Sequence, residues 1–372
     1  MADGITDPSL EAMRHHLDWS SKQRRILTAN GTAEGFYCAE RGYDYDTAEL
    51  PHHFLMHSTT LGSTRRVFEN WRETTARCPI VGAWSRPLFY GGWEHSTDRD
   101  EAVFNLQTGS LFIDLRVPLT RKTLLEAPGA RITCLEDMDA LQLACYARQH
   151  IFAGFSKAES QPHPSLSWGW SCTRHHCIDW NFVGVGRTRP NKWWVELGND
   201  AWKEWAFATD LAGQHYYCER WERYCGSAVG PVVALRKSQD PDGVIVIVGD
   251  HFNYCLDRSC SLGEAQARYP SATSLVDLVD AALAQHDLKT ARACLSIQGG
   301  HGRISKGWQL DCAIEFWKQG RPLWNREEVS VTGISLDDCI VLWKGEEWSV
   351  FECSLDSPQA LAALLRTSLS SL

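Results

Sequence analysis

The chain has 372 residues, 44% hydrophobic and 22% charged, the balance of an ordinary globular protein with length for one large β domain or two smaller ones. A net charge of −9 and a pI near 5.9 argue against a nucleic-acid binder, which would carry a basic stripe. No apolar run approaches the roughly 18 residues of a membrane helix, and the start Met1-Ala2-Asp3-Gly4 lacks the basic and apolar regions of a secretory signal.

A cytoplasmic location is therefore expected, and the 14 scattered cysteines read as reduced, buried thiols. The 17 tryptophans outnumber the 10 tyrosines. Each brings a large buried area and one N–H donor, and in a β protein they either line a cavity or fill a core.

Residues 1–75 form an N-terminal helical or irregular segment. Leu10, Met13, Leu17 and Trp19 have weak helical spacing, and a short helix is expected around Val67 and Trp71. Between them His52, His53 and His57 cluster without an acidic or cysteine ligand at a recognised metal spacing, so a lid or packing loop is expected there.

Strands begin at Ile80. Ala102–Leu106 and Leu111–Val117 flank Gln107-Thr108-Gly109, a hairpin turn. In the second of these strands Phe112, Asp114 and Arg116 share one face, where the two charges can form a surface ion pair or meet a ligand. Leu141–Phe155 reads as an apolar strand, 160–170 as a Trp-containing loop, and Cys172–Trp180 as extended. In His215–Arg223, alternation puts His215, Tyr217, Glu219, Trp221 and Arg223 on one face. Asp240-Pro241-Asp242-Gly243 is a turn before Val244–Val248, which is apolar on both faces and so central and covered on both sides. Ser274 and Asp277 mark the start of a helix through Leu275, Leu278, Val279, Ala282 and Leu283. Trp308–Phe316 alternates as a half-buried strand, Lys344-Gly345-Glu346 turns a last hairpin, and 359–369 is helical.

About a dozen short strands at regular spacing predict a mainly β fold, an antiparallel barrel or two packed barrel-like lobes with a few peripheral helices. The expected division is 1–75, a first β-barrel lobe over 76–260, and a helix with closing strands and a C-terminal helix over 261–372.

Several chemistries lack their signatures. There is no Gly-x-Ser-x-Gly elbow. Gly299–Arg303 is glycine-rich without a following phosphate-cradling helix, and reads as a bulge or tight hairpin end. Cys172, His175, His176 and Cys177 lack a second ligand pair at zinc spacing. What remains is a polar set on an aromatic barrel. Glu219, His176 and Arg116 are the candidate catalytic residues, and Trp193, Glu196, Tyr217, Trp221, Arg223 and His251 the candidate ligand-binding ones. Each charged member has a plain structural reading too, as half of a satisfied pair.

Gly82-Ala83-Trp84 resembles the Gly-x-Trp that opens lipocalin barrels, members of the calycin group. The length and strand pattern are similar to enlarged lipocalin-like proteins, among them carotenoid hydratases and fungal pericyclases. That resemblance implies β lobes enclosing an apolar substrate without metal or organic cofactor, and it carries over no catalytic residue. The expected function is binding of a small apolar or aromatic molecule, with its hydration, isomerisation or cyclisation by acid–base chemistry in reach. A non-enzymatic interaction protein is the alternative. No cofactor, nucleic acid or membrane span is expected, and a homo-oligomer is left open.

Overall fold

Short segments of alternating polarity, bounded by turn residues, become strands along most of the chain, and the fold is mainly β. The computed structural model describes residues 79–91, 101–126, 131–160, 169–181, 191–198, 200–206, 217–237, 241–258, 262–272 and 274–367. The expectations for His52, His53, His57 and the N-terminal helices lie outside these residues.

The first lobe is a closed antiparallel barrel of β1 Gly82–Gly91, β2 Glu101–Gln107, β3 Leu111–Pro118, β4 His150–Ser160, β5 Trp170–Asp179, β6 Asn191–Leu197, β7 Ala201–Ala206 and β8 Tyr217–Arg223. Each strand pairs with its sequence neighbour, and β8 closes on β1 from Trp84↔Arg223 to Gly91↔Tyr217. The closing register slips between Ser85 and Leu88, where Pro87 has no N–H to give to the ladder.

The second lobe is a sheet built from β9 Val232–Lys237, β10 Gly243–Val248, β11 His251–Leu256, β12 Gln298–Arg303, β13 Gln309–Ala313, β14 Val329–Thr332, β15 Ile340–Trp343 and β16 Glu346–Cys353. Its order is β13-β12-β11-β10-β9-β16-β15-β14. β10 is central and buried along its whole length, as its two-faced apolar sequence predicts. The β10–β11 turn needs Gly249, whose φ is +60° and whose missing Cβ would collide with the carbonyl oxygen of Gly226.

Helices are peripheral: α1 Arg121–Leu124, α2 Ala140–Tyr146, α3 Leu262–Arg268, α4 Leu275–Ala284, α5 Leu288–Cys294 and α6 Pro358–Leu365. α4 starts where Ser274 predicts, with the Ser274 hydroxyl accepting from the Asp277 N–H. No helix among the described residues is long and apolar enough to span a membrane.

The structure corrects two local readings. Leu141–Phe155 is not one strand: a capping box, in which Asp139 accepts from the Gln142 N–H and Gln142 from the Asp139 N–H, starts α2, and β4 begins only at His150. Of the two readings of Gly299–Arg303 the bulge holds, against β13 between His301 and Gly302, while the hairpin end is corrected: the stretch is most of β12. The cysteines among the described residues are free thiols.

The lobes share one core. Leu111, Ile113, Leu115 and Val117 on the outer face of β3 join Ile151, Ala153 and Phe155 of β4 against Val244, Val246 and Val248 of β10, with α2, α4 and α5 packed alongside. The other face of the second sheet buries its own cluster, including Trp308, Trp324, Trp343 and Trp348, under α6.

At the edge of the shared core, a register shift in β16 brings Glu352 to the β2–β3 turn of the barrel, where the Ser110 hydroxyl donates to its Oε1. Burial pushes the Glu352 carboxyl up to about 7, and hydrogen bonds from Ser110, Thr108 and Gly109 only partly oppose it. The folded state therefore holds this proton more tightly than the unfolded chain. Its contribution is complete below pH 4.5 and fades as the pH rises through about 7. Glu352→Gln should remove that loss, gaining on the order of 3 kcal/mol over wild type at pH 8 relative to pH 4. Urea denaturation of both proteins across this range measures it, and parallel pH profiles would count against the assignment.

Candidate functional site

The barrel interior is set by alternation. Along β1 the inward positions are Gly82, Trp84 and Arg86, along β3 Phe112, Asp114 and Arg116, and along β8 Glu219, Trp221 and Arg223. These side chains sort into an aromatic layer and a charged one.

The aromatic layer gathers Trp84, Trp193, Trp202 and Trp221 with Ile80, Val103, Cys172 and Val195. Trp202 and Trp221, opposite each other on β7 and β8, stack at 5.3 Å. Trp84 meets Trp202 edge-on at 6.0 Å and bonds its indole N–H to the Ile80 carbonyl.

The charged layer crosses the barrel from β1 to β5. Arg86 donates to Glu219 Oε1 and to Glu101, both at 3.0 Å. Arg116 stands 3.8 Å from the same Glu219 oxygen and holds Asp114 in a fork of two 3.0 Å hydrogen bonds. Arg174 approaches Asp114 at 3.9 Å and donates to Asn105 at 3.1 Å and Gln107 at 2.8 Å. Its guanidinium lies over Phe112 at 4.0 Å and Trp193 at 4.9 Å, so the two layers touch through it. Asp114 is fully buried; burial alone would raise its carboxyl, but Arg116, Arg174 and Arg86 together hold it below the usual carboxylate range. The Asp114–Arg116 pair is thus an interior element, not a surface pair.

The charged layer leans toward one end of the barrel. Glu101, His150 and Asp179 are terminal residues of their strands at the end joined by the connections 92–100, 119–149, 180–190 and 207–216. The opposite end carries the tight β2–β3 and β6–β7 turns, where the Thr108 and Gly198 N–H groups donate to the Leu111 and Ala201 carbonyls. His150, opposite Arg116 in register, is lowered by its burial and bonds Asn181.

Of the residues picked from sequence, Glu219 and Arg116 meet in the charged layer, and Trp193 and Trp221 lie in the aromatic layer beneath it. His176 joins them through Phe152: it stacks on that ring at 4.8 Å, Arg116 lies over the same ring at 5.2 Å, and the His176 Nδ1 bonds Asp179 at 2.6 Å. Arg223 lies over Trp84 at 4.2 Å and pairs with Asp200 at 3.3 Å, at the tight-turn end. Glu196 is elsewhere, partly exposed and bonded to Lys203 and Trp205. His251 belongs to the second lobe, with its Nε2 on the Cys225 carbonyl. The backbone of Tyr217 pairs with Gly91 in the barrel seam.

Sequence reasoning missed Arg86, Arg174, Asn105 and Gln107. Arg86 stands beside Pro87, which interrupts the strand pattern, and Arg174 lies beside the more conspicuous His175-His176 pair. Inward alternation from Trp84 reaches Arg86, from Cys172 reaches Arg174, and from Val103 reaches Asn105 and Gln107.

A cavity of about 10 Å³ lined by Pro118, Arg121, Leu124, Leu125, Cys145 and Gln149 lies beside α1, outside the barrel, with room for about one water. Among the described residues no cluster of three or more His, Cys, Asp or Glu is placed to hold a metal.

No family model matches the chain, and no curated protein matches it in sequence. Among solved structures, the crystal structure of an uncharacterized protein, YLR301w, from Saccharomyces cerevisiae aligns over 73% of this chain and 98% of its own, at 12% identity and a TM-score of 0.38. The functional reading therefore rests on the barrel itself.

Because Glu219 is only 1% exposed, removing its nearest partner leaves a buried charge poorly compensated. Arg86→Met should cost roughly 3–5 kcal/mol in urea denaturation, and adding Glu219→Leu should recover most of that loss. A single-variant cost below about 1 kcal/mol would mean that Arg116 alone suffices for the carboxylate.

Proposed function

We propose that the barrel binds a small apolar or aromatic molecule bearing an oxygen acceptor, in the manner of the lipocalin-like proteins its opening Gly82-Ala83-Trp84 resembles. One observation carries this. Inside one closed barrel, the indole N–H groups of Trp193, Trp202 and Trp221, Nδ2 of Asn105, Nε of Arg174 and Oε2 of Glu219 are buried without a hydrogen-bond partner among the described residues. Buried polar atoms are rarely left unpaired, and each costs about 1–3 kcal/mol when it is. Donors outnumber acceptors in this set, so the complementary group is a carbonyl or carboxylate, and the indole faces suit an aromatic body. The indoles of Trp308, Trp343 and Trp348 are also unpaired, but they sit among the aliphatic and aromatic side chains of the second lobe. The barrel differs in setting guanidinium and carboxylate beside its indoles.

If the bound molecule is also transformed, Glu219 is the acid or base. Its Oε1 is fixed by Arg86 and Arg116, leaving Oε2 for the reacting group, while Arg116 and His176 orient it. A second reading, a non-enzymatic interaction protein, is favoured by the close tryptophan packing of the aromatic layer.

Native mass spectrometry beside a denatured control tests the binding. A co-purifying molecule lost on denaturation is the expected result. A clean chain mass, with no change in tryptophan fluorescence on titration with aromatic carboxylates, would favour the interaction reading. Once a reaction is in hand, Glu219→Gln should abolish turnover and keep the fold, seen as unchanged circular dichroism. Undiminished turnover would remove Glu219 from the chemistry.

A further inference from the structure

Away from the barrel interior, two histidines of the second lobe meet the barrel wall. His251 on β11 and His301 on β12 are 4% and 3% exposed, and their rings stack with Tyr224 and Phe104 of the barrel side at 4.4–5.7 Å. Polar contacts run through the pair from one lobe to the other. His251 Nε2 lies 2.7 Å from the Cys225 carbonyl, His251 Nδ1 lies 3.4 Å from His301 Nε2, and His301 Nδ1 lies 2.8 Å from Asn253 Oδ1. The Asn253 amide is oriented by its nitrogen, which donates to the Phe104 and Ile113 carbonyls of the barrel.

Counting protons fixes the state of the pair. A carbonyl only accepts, so His251 carries its proton on Nε2 and His301 on Nδ1. Two neutral rings have no other N–H, and the remaining nitrogens face each other as lone pairs across the 3.4 Å gap. An added proton has only that gap to enter. There it makes a buried cation that no carboxylate among the described residues touches. Asp311 is the carboxylate whose charge favours it, but Asp311 is bound by Arg303 at 3.0 Å and Lys306 at 2.7 Å, and both cations oppose it. The other titratable groups at the pair are Tyr224, stacked on both rings, and Cys312, opposite His301 on β13; burial raises both. Asp250, next to His251, is turned away onto Ser305.

We propose that the His251–His301 pair makes the junction between barrel and second sheet acid-sensitive: closed while both rings are neutral, and loosened when either must take up a proton. Burial, and then the neighbouring His251, hold His301 down at about 3, in keeping with this. The sign follows. A histidine lowered in the closed state supports it fully above its ordinary value near 6.5, and that support drains away as the pH falls below it.

Hydrogen exchange of the full-length protein between pH 7.5 and 4.5, corrected for intrinsic rates, reads the effect. Protection of β2 and β11 amides should fall about tenfold per pH unit below 6.5 for each proton taken up, ahead of β15 in the same molecule. In the double variant His251→Gln, His301→Gln the excess loss at β2 and β11 should vanish. Should that variant not fold, NMR titration of the wild-type imidazoles answers the same question, since the His301 ring should stay neutral down to pH 4.5 in the closed state. Protection at β2 and β11 that is constant with pH, or that falls only in step with β15, overturns the proposal. So does a closed state in which the His301 ring titrates near pH 6.5.

Discussion

The Asp114 carboxylate is wholly buried between Arg116 and Arg174, and a charge in that position has to be met by fixed partners. β3 carries that requirement on its inward face while its outward face is Leu111, Ile113, Leu115 and Val117. A barrel of ordinary plan keeps apolar residues inside and polar ones in water. Here the second sheet covers the outside of β3 and β4, so the outside is apolar and part of the interior is free to be charged. The guanidiniums then spread the constraint: Arg174 draws in Asn105 and Gln107 of β2, and Arg116 and Arg86 draw in Glu219 of β8 and Glu101. The polar interior and the two-lobe plan are one arrangement seen from its two sides.

That same double burial limits what the sequence discloses. The strands were legible, because alternation and turn residues are local, and so were α4 from Ser274 and the covered centre at Val244–Val248. α2 was not, because an apolar run through Leu141–Tyr146 looks alike in helix and strand, and the deciding signal, Asp139 with Gln142, lies at its margin. Of the site, Glu219, Trp193 and Trp221 could be placed from alternation. Which face of β3 was inside could not, since both faces are buried and periodicity separates faces without naming them. His301 hid in a glycine run whose purpose is close strand approach, and its partner His251 was assigned to a barrel it does not enter.

Contacts between the lobes are of two kinds. The aliphatic core shared by β3, β4 and β10 is non-directional and insensitive to pH. Around it sit directional contacts: Glu352 at the β2–β3 turn, the histidine pair against Tyr224, and Arg121, whose guanidinium reaches the Ala313 and Ile314 carbonyls. Glu352 is favoured by acid and, on the proposal above, His301 by base, so their effects on the junction oppose each other.

Strand order also has a consequence for synthesis on the ribosome. β1 to β8 pair only with sequence neighbours apart from the closing seam, so the barrel can assemble as soon as β8 has emerged. β9 can pair with β10 as soon as both have emerged, and waits only along its other edge for β16, at the far end of the chain. Until β10 and the helices that follow it have emerged, the nascent barrel presents its aliphatic outer wall uncovered by its own chain. The period of greatest exposure to aggregation therefore falls after the barrel has formed, and a chaperone serving this protein would act on a folded lobe's flank and not on an extended segment.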